Sequence, residues 1–391
     1  MGLDANAGHL RDVLKPVGEA RGLPNAHYVD PATHARETAR VFAPHWAALG
    51  FASDVPETGD ARPVDFLGQP LLLLRDREGQ VRVFLNVCRH RGMVLVEEPK
   101  RLRGMIRCPY HSWVYDLDGG LRATPHVGGP GRNVCEGIER GNLGLQEVAS
   151  HVWHDVVFVN LDGAAPPFEE ANAALIERWG DFEQPSHPGG ADSRFDLHVA
   201  CNWKLAVENY CESYHLPWIH PGLNAYSRLE DHYHIVAETF SGQGTTVYDP
   251  SLSQAKAFED FENLGAEWDR QAEYVGLFPN VLLGVHRDHR YAIVLLPQGP
   301  ERTIERVSIS YARPQAPGDE HAEARTANTA QWRGIFEEDV FVVEGMQKGR
   351  HANAFDGGRF SAAMDKPTWA FHRWVASRFE SPVEAPVETT V

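Results

Sequence analysis

The stretch Asn86–Trp113 reads NVCRHRGMVLVEEPKRLRGMIRCPYHSW. It holds a Cys-x-His pair, Cys88 and His90, then 17 intervening residues, then a Cys-x-x-His pair, Cys108 and His111. Thiolates and imidazoles are ligands for soft and borderline metals. Three arrangements compete. The four could be unrelated core and surface residues, but two matched pairs so close together argue against coincidence. They could hold one structural zinc, although finger-type sites usually group Cys with Cys and His with His. They could hold a two-iron, two-sulfide cluster, with the cysteines on one iron and the histidines on the other. Mixed pairs suit that cluster, because each loop then gives one ligand to each iron. Neutral imidazoles in place of two thiolates make such a cluster less negative and raise its potential.

A one-electron store needs a user. The stretch Asn202–Pro221, NWKLAVENYCESYHLPWIHP, offers one. Read as a helix near 203–216, it puts Trp203, Val207, Tyr210 and Tyr214 on one apolar stripe and Glu208, Glu212 and His215 on another side. Pro217 is expected to end that helix, so that the chain turns back and brings His220 beside His215. A solvated Glu/His face is the plain alternative. Two neutral imidazoles and one carboxylate make a facial triad for iron(II), with positions left for dioxygen and substrate. The helix expected over about Ala322 to Lys348 supplies the carboxylate. Its apolar stripe is Phe336, Val340, Val343 and Gln347, and Asp339 falls within it. Glu338 is expected to point roughly opposite, with Glu337 and Glu344 at the edge or beyond. A carboxylate on an apolar stripe is costly unless it is paired, whether by a metal, by local hydrogen bonds or by an arginine.

Taken together, these motifs resemble a known family. Cys-x-His, 17 residues and Cys-Pro-Tyr-His-Ser-Trp look like the cluster motif of Rieske proteins, and in detail like the Rieske non-heme iron oxygenases. Glu208-Asn209-x-x-Glu212-x-x-His215-x4-His220 is similar to the catalytic-iron motif of their α (oxygenase) subunits. The resemblance spans roughly residues 25–375. It implies that Cys88, His90, Cys108 and His111 hold a [2Fe–2S] cluster and that His215, His220 and Asp339 bind a mononuclear Fe(II). Glu212, with Asn209 beside it, matches the family's bridging carboxylate. It would hydrogen-bond to His215 and to a cluster histidine, His111, of the partner subunit in a homotrimer. Glu at this position resembles the branch acting on carnitine, choline and betaines. The resemblance also implies dioxygen as oxidant. Electrons would come from NAD(P)H through a separate flavin/iron–sulfur reductase or a ferredoxin, and the chain has no Gly-x-Gly-x-x-Gly loop of its own.

The elements that must position these residues divide the chain. Residues 1–44 read as a helical segment packing on the catalytic half, with a helix from His34 to Leu49. Residues 45–163 show short alternating runs broken by DREGQ and DLDGG turns, an all-β domain. The Pro-rich GAAPPFEE links it to a helix over Phe168–Trp179. Residues 164–380 alternate strand-like runs with helices, which predicts an antiparallel sheet with helices packed on it, α+β overall and of helix-grip type by the resemblance. Residues 381–391 read as a disordered tail.

Composition narrows the partners. The 37 Lys and Arg against 54 Asp and Glu give a formal charge of −17. Such a surface repels phosphate backbones and anionic membranes, so nucleic acid and membrane are not expected partners. No apolar run approaches the roughly 18 residues of a spanning helix. The start MGLDANAGHLRD matches no signal peptide, and Asn6 breaks a myristoylation motif. Five cysteines, an odd number, fit a cytoplasmic chain without a disulfide framework.

The substrate is a small molecule. Tyr210, Tyr214, Trp218 and Phe278 are candidates for a cage that holds a quaternary or tertiary ammonium ion by cation–π attraction. Such a compound would be hydroxylated or N-demethylated. The alternative is hydroxylation or O-demethylation of an aromatic acid, the aromatics then being ordinary core. A reading from another class is a pure electron carrier or a zinc-stabilised binding protein.

Overall fold

The computed structural model describes residues 10–248 and 258–380. The expectations for the extreme N-terminus and for the tail at 381–391 fall outside these residues.

The N-terminal half is built of short antiparallel strands. β1 (Ala47–Phe51), β10 (Val156–Asn160) and β9 (Ala149–Trp153) form one sheet. β4 (Val81–Leu85), β3 (Gln69–Arg75), β2 (Asp60–Phe66) and β5 (Lys100–Arg101) form a second. β6 (Ile106–Arg107), β7 (Val114–Tyr115) and β8 (Leu121–Ala123) form a third. Leu71–Leu74 of β3 are all fully buried. Alternation along a strand sends them to two places. Leu71 and Leu73 enter the main core, while Leu72 and Leu74 enter a separate small core with Phe84, Cys88, Cys108, Trp113 and Tyr115. A run apolar at every position therefore marks a strand covered on both faces.

The C-terminal half is one antiparallel sheet ordered β11 (His187–Pro188), β18 (Thr303–Tyr311), β17 (His289–Pro297), β16 (Val281–Val285), β15 (Ala272–Leu277), β14 (Phe240–Thr245) and β13 (His232–Val236), with β12 (Arg194–Val199) also on β18. Three helices pack around it: α1 (Trp203–Tyr210), α2 (Ala322–Gly349) and α3 (Lys366–Glu380). The halves are joined through backbone as well as side chains. Asn280 accepts from the Ala48 N–H (2.9 Å) and donates to its C=O (2.8 Å). Asp54 takes both terminal nitrogens of Arg306 at 2.9 Å.

Several elements differ from expectation. The helix expected over His34–Leu49 is an α-helix over Pro31–Glu37 and a π-helical turn over Thr38–Phe42, and the chain then enters β1. Phe168–Trp179 is two short helices divided at Asn172, whose side chain bonds the Phe168 carbonyl. The helix near 203–216 stops at Tyr210. Pro217 opens a new turn of helix, Leu216–Ile219, rather than closing the old one, because a missing N–H costs nothing in a first turn. β15 and α3 carry no period that stood out in the sequence. No described helix is long and apolar enough to cross a membrane.

Candidate functional site: two metal-ligand clusters

The two cluster loops have one backbone design. The Cys88 N–H donates to the Met93 carbonyl (2.8 Å), and the Gly92 N–H donates back to the Cys88 carbonyl (3.0 Å). Likewise the Cys108 N–H donates to the Trp113 carbonyl (2.8 Å), and the Ser112 N–H to the Cys108 carbonyl (3.1 Å). Each loop closes through a left-handed residue four places after its cysteine, Gly92 at φ 72° and Ser112 at φ 57°. Glycine takes that conformation freely, and serine holds it at some cost. Both thiols are buried. The His90 and His111 rings lie 4.7 Å apart, and His90 stacks on Trp113 at 4.6 Å. His111 Nδ1 is buried with no hydrogen-bond partner, as a ligand nitrogen facing a metal position would be. Burial, above all, raises the Cys88 thiol, against the lowering effect of Tyr115. A thiol that is hard to ionise in a dry pocket needs a cation to do so, and the irons of a cluster held here would supply one. Tyr115 Oη sits 3.2 Å from Cys88 Sγ and accepts from the Arg89 N–H (3.0 Å). Nothing in the spacing of the motif singled out Tyr115.

The second cluster forms where α1 ends. His215 and His220 flank the single turn Leu216–Ile219, which sets their rings 5.1 Å apart. Asp339 on α2 brings Oδ1 to 3.0 Å from His220 Nε2 and 3.7 Å from His215 Nε2. Among the described residues, these three alone offer three ligand atoms within 4.8 Å of one another. Both rings are oriented from behind. His215 Nδ1 donates to Glu212 Oε1 (2.6 Å), and His220 Nδ1 donates to Glu338 Oε2 (2.7 Å). With both Nδ1 atoms so engaged, the two neutral Nε2 atoms turn lone pairs toward a buried carboxylate oxygen that accepts no well-formed hydrogen bond. Three lone-pair donors facing one another are unfavourable unless a cation or a proton sits between them. Burial lowers the pKa of His220, but the close approach and charge of Asp339, then the hydrogen bond and charge of Glu338, outweigh it and raise the value. The donor set, N2O with carboxylate-backed imidazoles, fits an iron(II) ion.

The loop between α1 and His215 is held by β14. Gln243 Nε2 donates to the Glu212 carbonyl (3.1 Å), and its Oε1 accepts from His232 Nδ1 (2.6 Å). The Cys211 thiol donates to the Ser241 carbonyl (3.3 Å). Gln243 and His232 lie on strands far along the chain, with no motif to mark them.

Some expected residues lie elsewhere. Glu338 does not face away: it is the partner of His220, because that ring approaches α2 from the side rather than along its buried stripe. Glu208 does not join Glu212. It is buried against Tyr28 Oη (2.5 Å), His372 Nε2 (3.2 Å) and Arg350 Nη2 (3.3 Å). Burial would raise its pKa, yet His372, then Arg350 and Tyr28, hold it at about 2. Tyr210 does line the cavity beside His215, His220 and Asp339, a space of about 50 Å³. Tyr214 and Trp218 do not. They are 45% and 68% exposed and rest edge-on against each other, because the helical stripe ends with α1. Phe278 is buried between Phe371 and Trp374. The aromatic walls are instead Tyr210, Tyr274, Tyr291, Trp332 and Phe336. Asn209 stands in the wall between this cavity and a smaller one of about 30 Å³, which Glu305 also lines.

Known protein families cover both halves of this chain. Residues 45–136 match the Rieske [2Fe-2S] domain, and residues 187–381 match the ring hydroxylating alpha subunit (catalytic domain). The choline monooxygenase of Arabidopsis thaliana is 28% identical over 378 residues, covering 91% of this chain and 82% of that protein. The carnitine monooxygenase oxygenase subunit of Escherichia coli K12 is 27% identical over 351 residues, 88% of each. In fold, the chain resembles the quaternary ammonium Rieske monooxygenase CntA solved with L-carnitine (TM-score 0.72, 21% identity, 94% of this chain and 98% of that one). It equally resembles naphthalene 1,2-dioxygenase (TM-score 0.75, 18% identity, 95% of each chain). The chain belongs to the α, or oxygenase, subunits of the Rieske non-heme iron oxygenases, whose equipment is a Rieske [2Fe–2S] cluster, a mononuclear iron and dioxygen.

Proposed function

We propose that this oxygenase hydroxylates or oxidatively N-demethylates a small quaternary or tertiary ammonium compound. One observation carries the reading. His215 Nε2, His220 Nε2 and Asp339 Oδ1 converge on a cavity walled by Tyr210, Tyr274, Tyr291, Trp332 and Phe336. Aromatic faces attract an ammonium ion whose methyl groups leave it weakly hydrated. The relatives named for choline, carnitine and glycine betaine support the same substrate class.

In this reading Cys88 and Cys108 hold one iron of the cluster and His90 and His111 the other, while His215, His220 and Asp339 hold the mononuclear iron. Bound there, that iron supplies activation of dioxygen. The chain's own residues prepare the place. Glu212 and Glu338 keep the proton of each imidazole on Nδ1, so Nε2 stays free to ligate. Gln243 fixes the backbone of Glu212. Leu216, Leu223 and Ile335 help the aromatic walls exclude water. Asn209 lines both cavities together with Asp339. Electrons arrive from a reductase or ferredoxin. They cross a homotrimer from His111 to Glu212 of the partner subunit. All five cysteines are free, which suits a cytoplasmic location.

The test is turnover by holoenzyme with a reconstituted reductase on choline, carnitine, glycine betaine and a set of arenes. Formaldehyde or a hydroxylated ammonium product is expected. Turnover confined to arenes would reject the ammonium substrate and leave the oxygenase standing. His215→Ala should lose mononuclear iron while the cluster's visible spectrum persists; retained iron and turnover would reject the ligand assignment.

A further inference from the structure

The sheet face behind the pocket carries two buried polar groups with nothing to bind. Tyr274 on β15 lines the cavity, and its Oη has no hydrogen-bond partner. His286, the residue after β16, is 1% exposed, and neither of its ring nitrogens has a partner. The two rings are 5.5 Å apart, centroid to centroid. His286 does not line the cavity itself: it packs behind Trp332 (5.0 Å) and Tyr291 (6.2 Å), which do, and against His289 (4.5 Å) and Tyr248 (4.7 Å). Gly284 makes this grouping possible. Tyr274 and Tyr291 both pair with it in register, and a Cβ there would meet the Tyr291 ring at 2.4 Å.

Buried polar groups are nearly always satisfied, and leaving one unsatisfied costs stability. The same face shows that partners are available where the fold uses them. Tyr210 Oη donates to the Leu283 carbonyl (2.8 Å), and Trp332 Nε1 donates to His289 Nε2 (2.9 Å). Tyr274 and His286 are left out of that pairing. Burial, then the neighbouring His289, keeps the His286 ring neutral. A neutral imidazole offers one donor and one acceptor, and a phenol can do either. The group that suits the Tyr274 phenol at the cavity wall is an uncharged hydroxyl; a carboxylate would bring only acceptors and a charge with no cation to meet it there.

We propose that Tyr274, with the unpartnered His286 packed behind it, forms the polar far end of the substrate pocket and that Tyr274 binds a hydroxyl group of the substrate. The inference rests on the pocket assignment made above, and it selects hydroxyl-bearing substrates within the ammonium class.

The experiment measures binding to the holoenzyme by calorimetry, without reductase, so that no turnover occurs. The probes are choline and n-propyltrimethylammonium, which replaces the hydroxyl by a methyl group. Choline is expected to bind about tenfold more tightly, and Tyr274→Phe should abolish the difference. Because neither group has a partner in the fold, Tyr274→Phe and His286→Leu should both melt at or above the wild-type temperature. Equal wild-type affinities overturn the inference. So does a preference for choline that survives Tyr274→Phe. If neither ammonium ion binds, the ammonium reading fails, and the same comparison is made with benzyl alcohol and ethylbenzene. A preference for the alcohol that Tyr274→Phe removes then supports the inference by itself; equal binding, or none, overturns it.

Discussion

Glu305 on β18 stands in the smaller cavity, with Leu282, Ile293, Val340 and Val343 around it and Asp339 nearby. Burial first, then the charge of Asp339, pushes its carboxyl up to about 8. The consequence has a definite sign. A carboxyl whose folded pKa lies above its unfolded value holds its proton more tightly when folded. Its contribution to stability is full below about 4.5 and is lost as pH rises through about 8. Glu305→Gln removes this titration. The melting temperature of Glu305→Gln relative to wild type should therefore rise between about pH 5 and about pH 8.5, measured by scanning calorimetry. A gap that does not change with pH would mean that Glu305 is already ionised across the range.

Helix α2 delivers two adjacent carboxylates to one site by different routes. Asp339 faces the metal position directly, and Glu338 reaches His220 from behind. Glu338→Gln keeps the side-chain length but removes the charge that holds the Nδ1 proton. Mononuclear iron affinity should fall about 10- to 100-fold, read as iron per chain after dialysis against a chelator. Glu337→Gln, its exposed neighbour on the same helix, should change nothing. Glu338 also shows where the sequence was hard to read. Helical periodicity put Asp339 on the buried stripe and so found a metal-facing carboxylate. It could not say from which side a histidine on another element would approach. The same limit applies at α1. The spacing of Glu212, His215 and His220 was legible, but extending one helix past Tyr210 placed Tyr214 on a wall it does not line. Tyr274, Tyr291 and Gln243 belong to the site through sheet register alone. The ordinary strand alternation of β14, β15 and β17 carries no local mark of that role. In the cluster loops the motif announced its ligands by type and spacing, yet the shared backbone closure at Gly92 and Ser112 was hidden by the unequal Cys–His spacings.

At the scale of the whole molecule, the cluster loops lie at the surface of one half, with His90 and Tyr110 exposed, and Glu212 backs His215 of the proposed iron site in the other. The trimer reading makes each half depend on a partner subunit. Mixed oligomers test this. His111→Ala chains and His215→Ala chains should each be inactive alone. Co-assembled, they should recover substrate oxidation, because an intact cluster in one subunit can serve an intact iron site in the next. No recovery in verified mixed trimers would confine electron transfer to a single chain. The acidic surface, at −17, keeps such an assembly soluble and disfavours phosphate-rich partners.

Strand β3 places a further demand on the molecule. Its four leucines are shared between two cores, two side chains in each. Pulling that strand away from the cluster core also removes Leu71 and Leu73 from the main core, which couples the two cores. A single calorimetric unfolding transition for both halves is the expected result, and two separate transitions would show that β3 does not couple them. Damage that loosens the cluster end would then be felt at the far metal site, because both ends lean on the same strand.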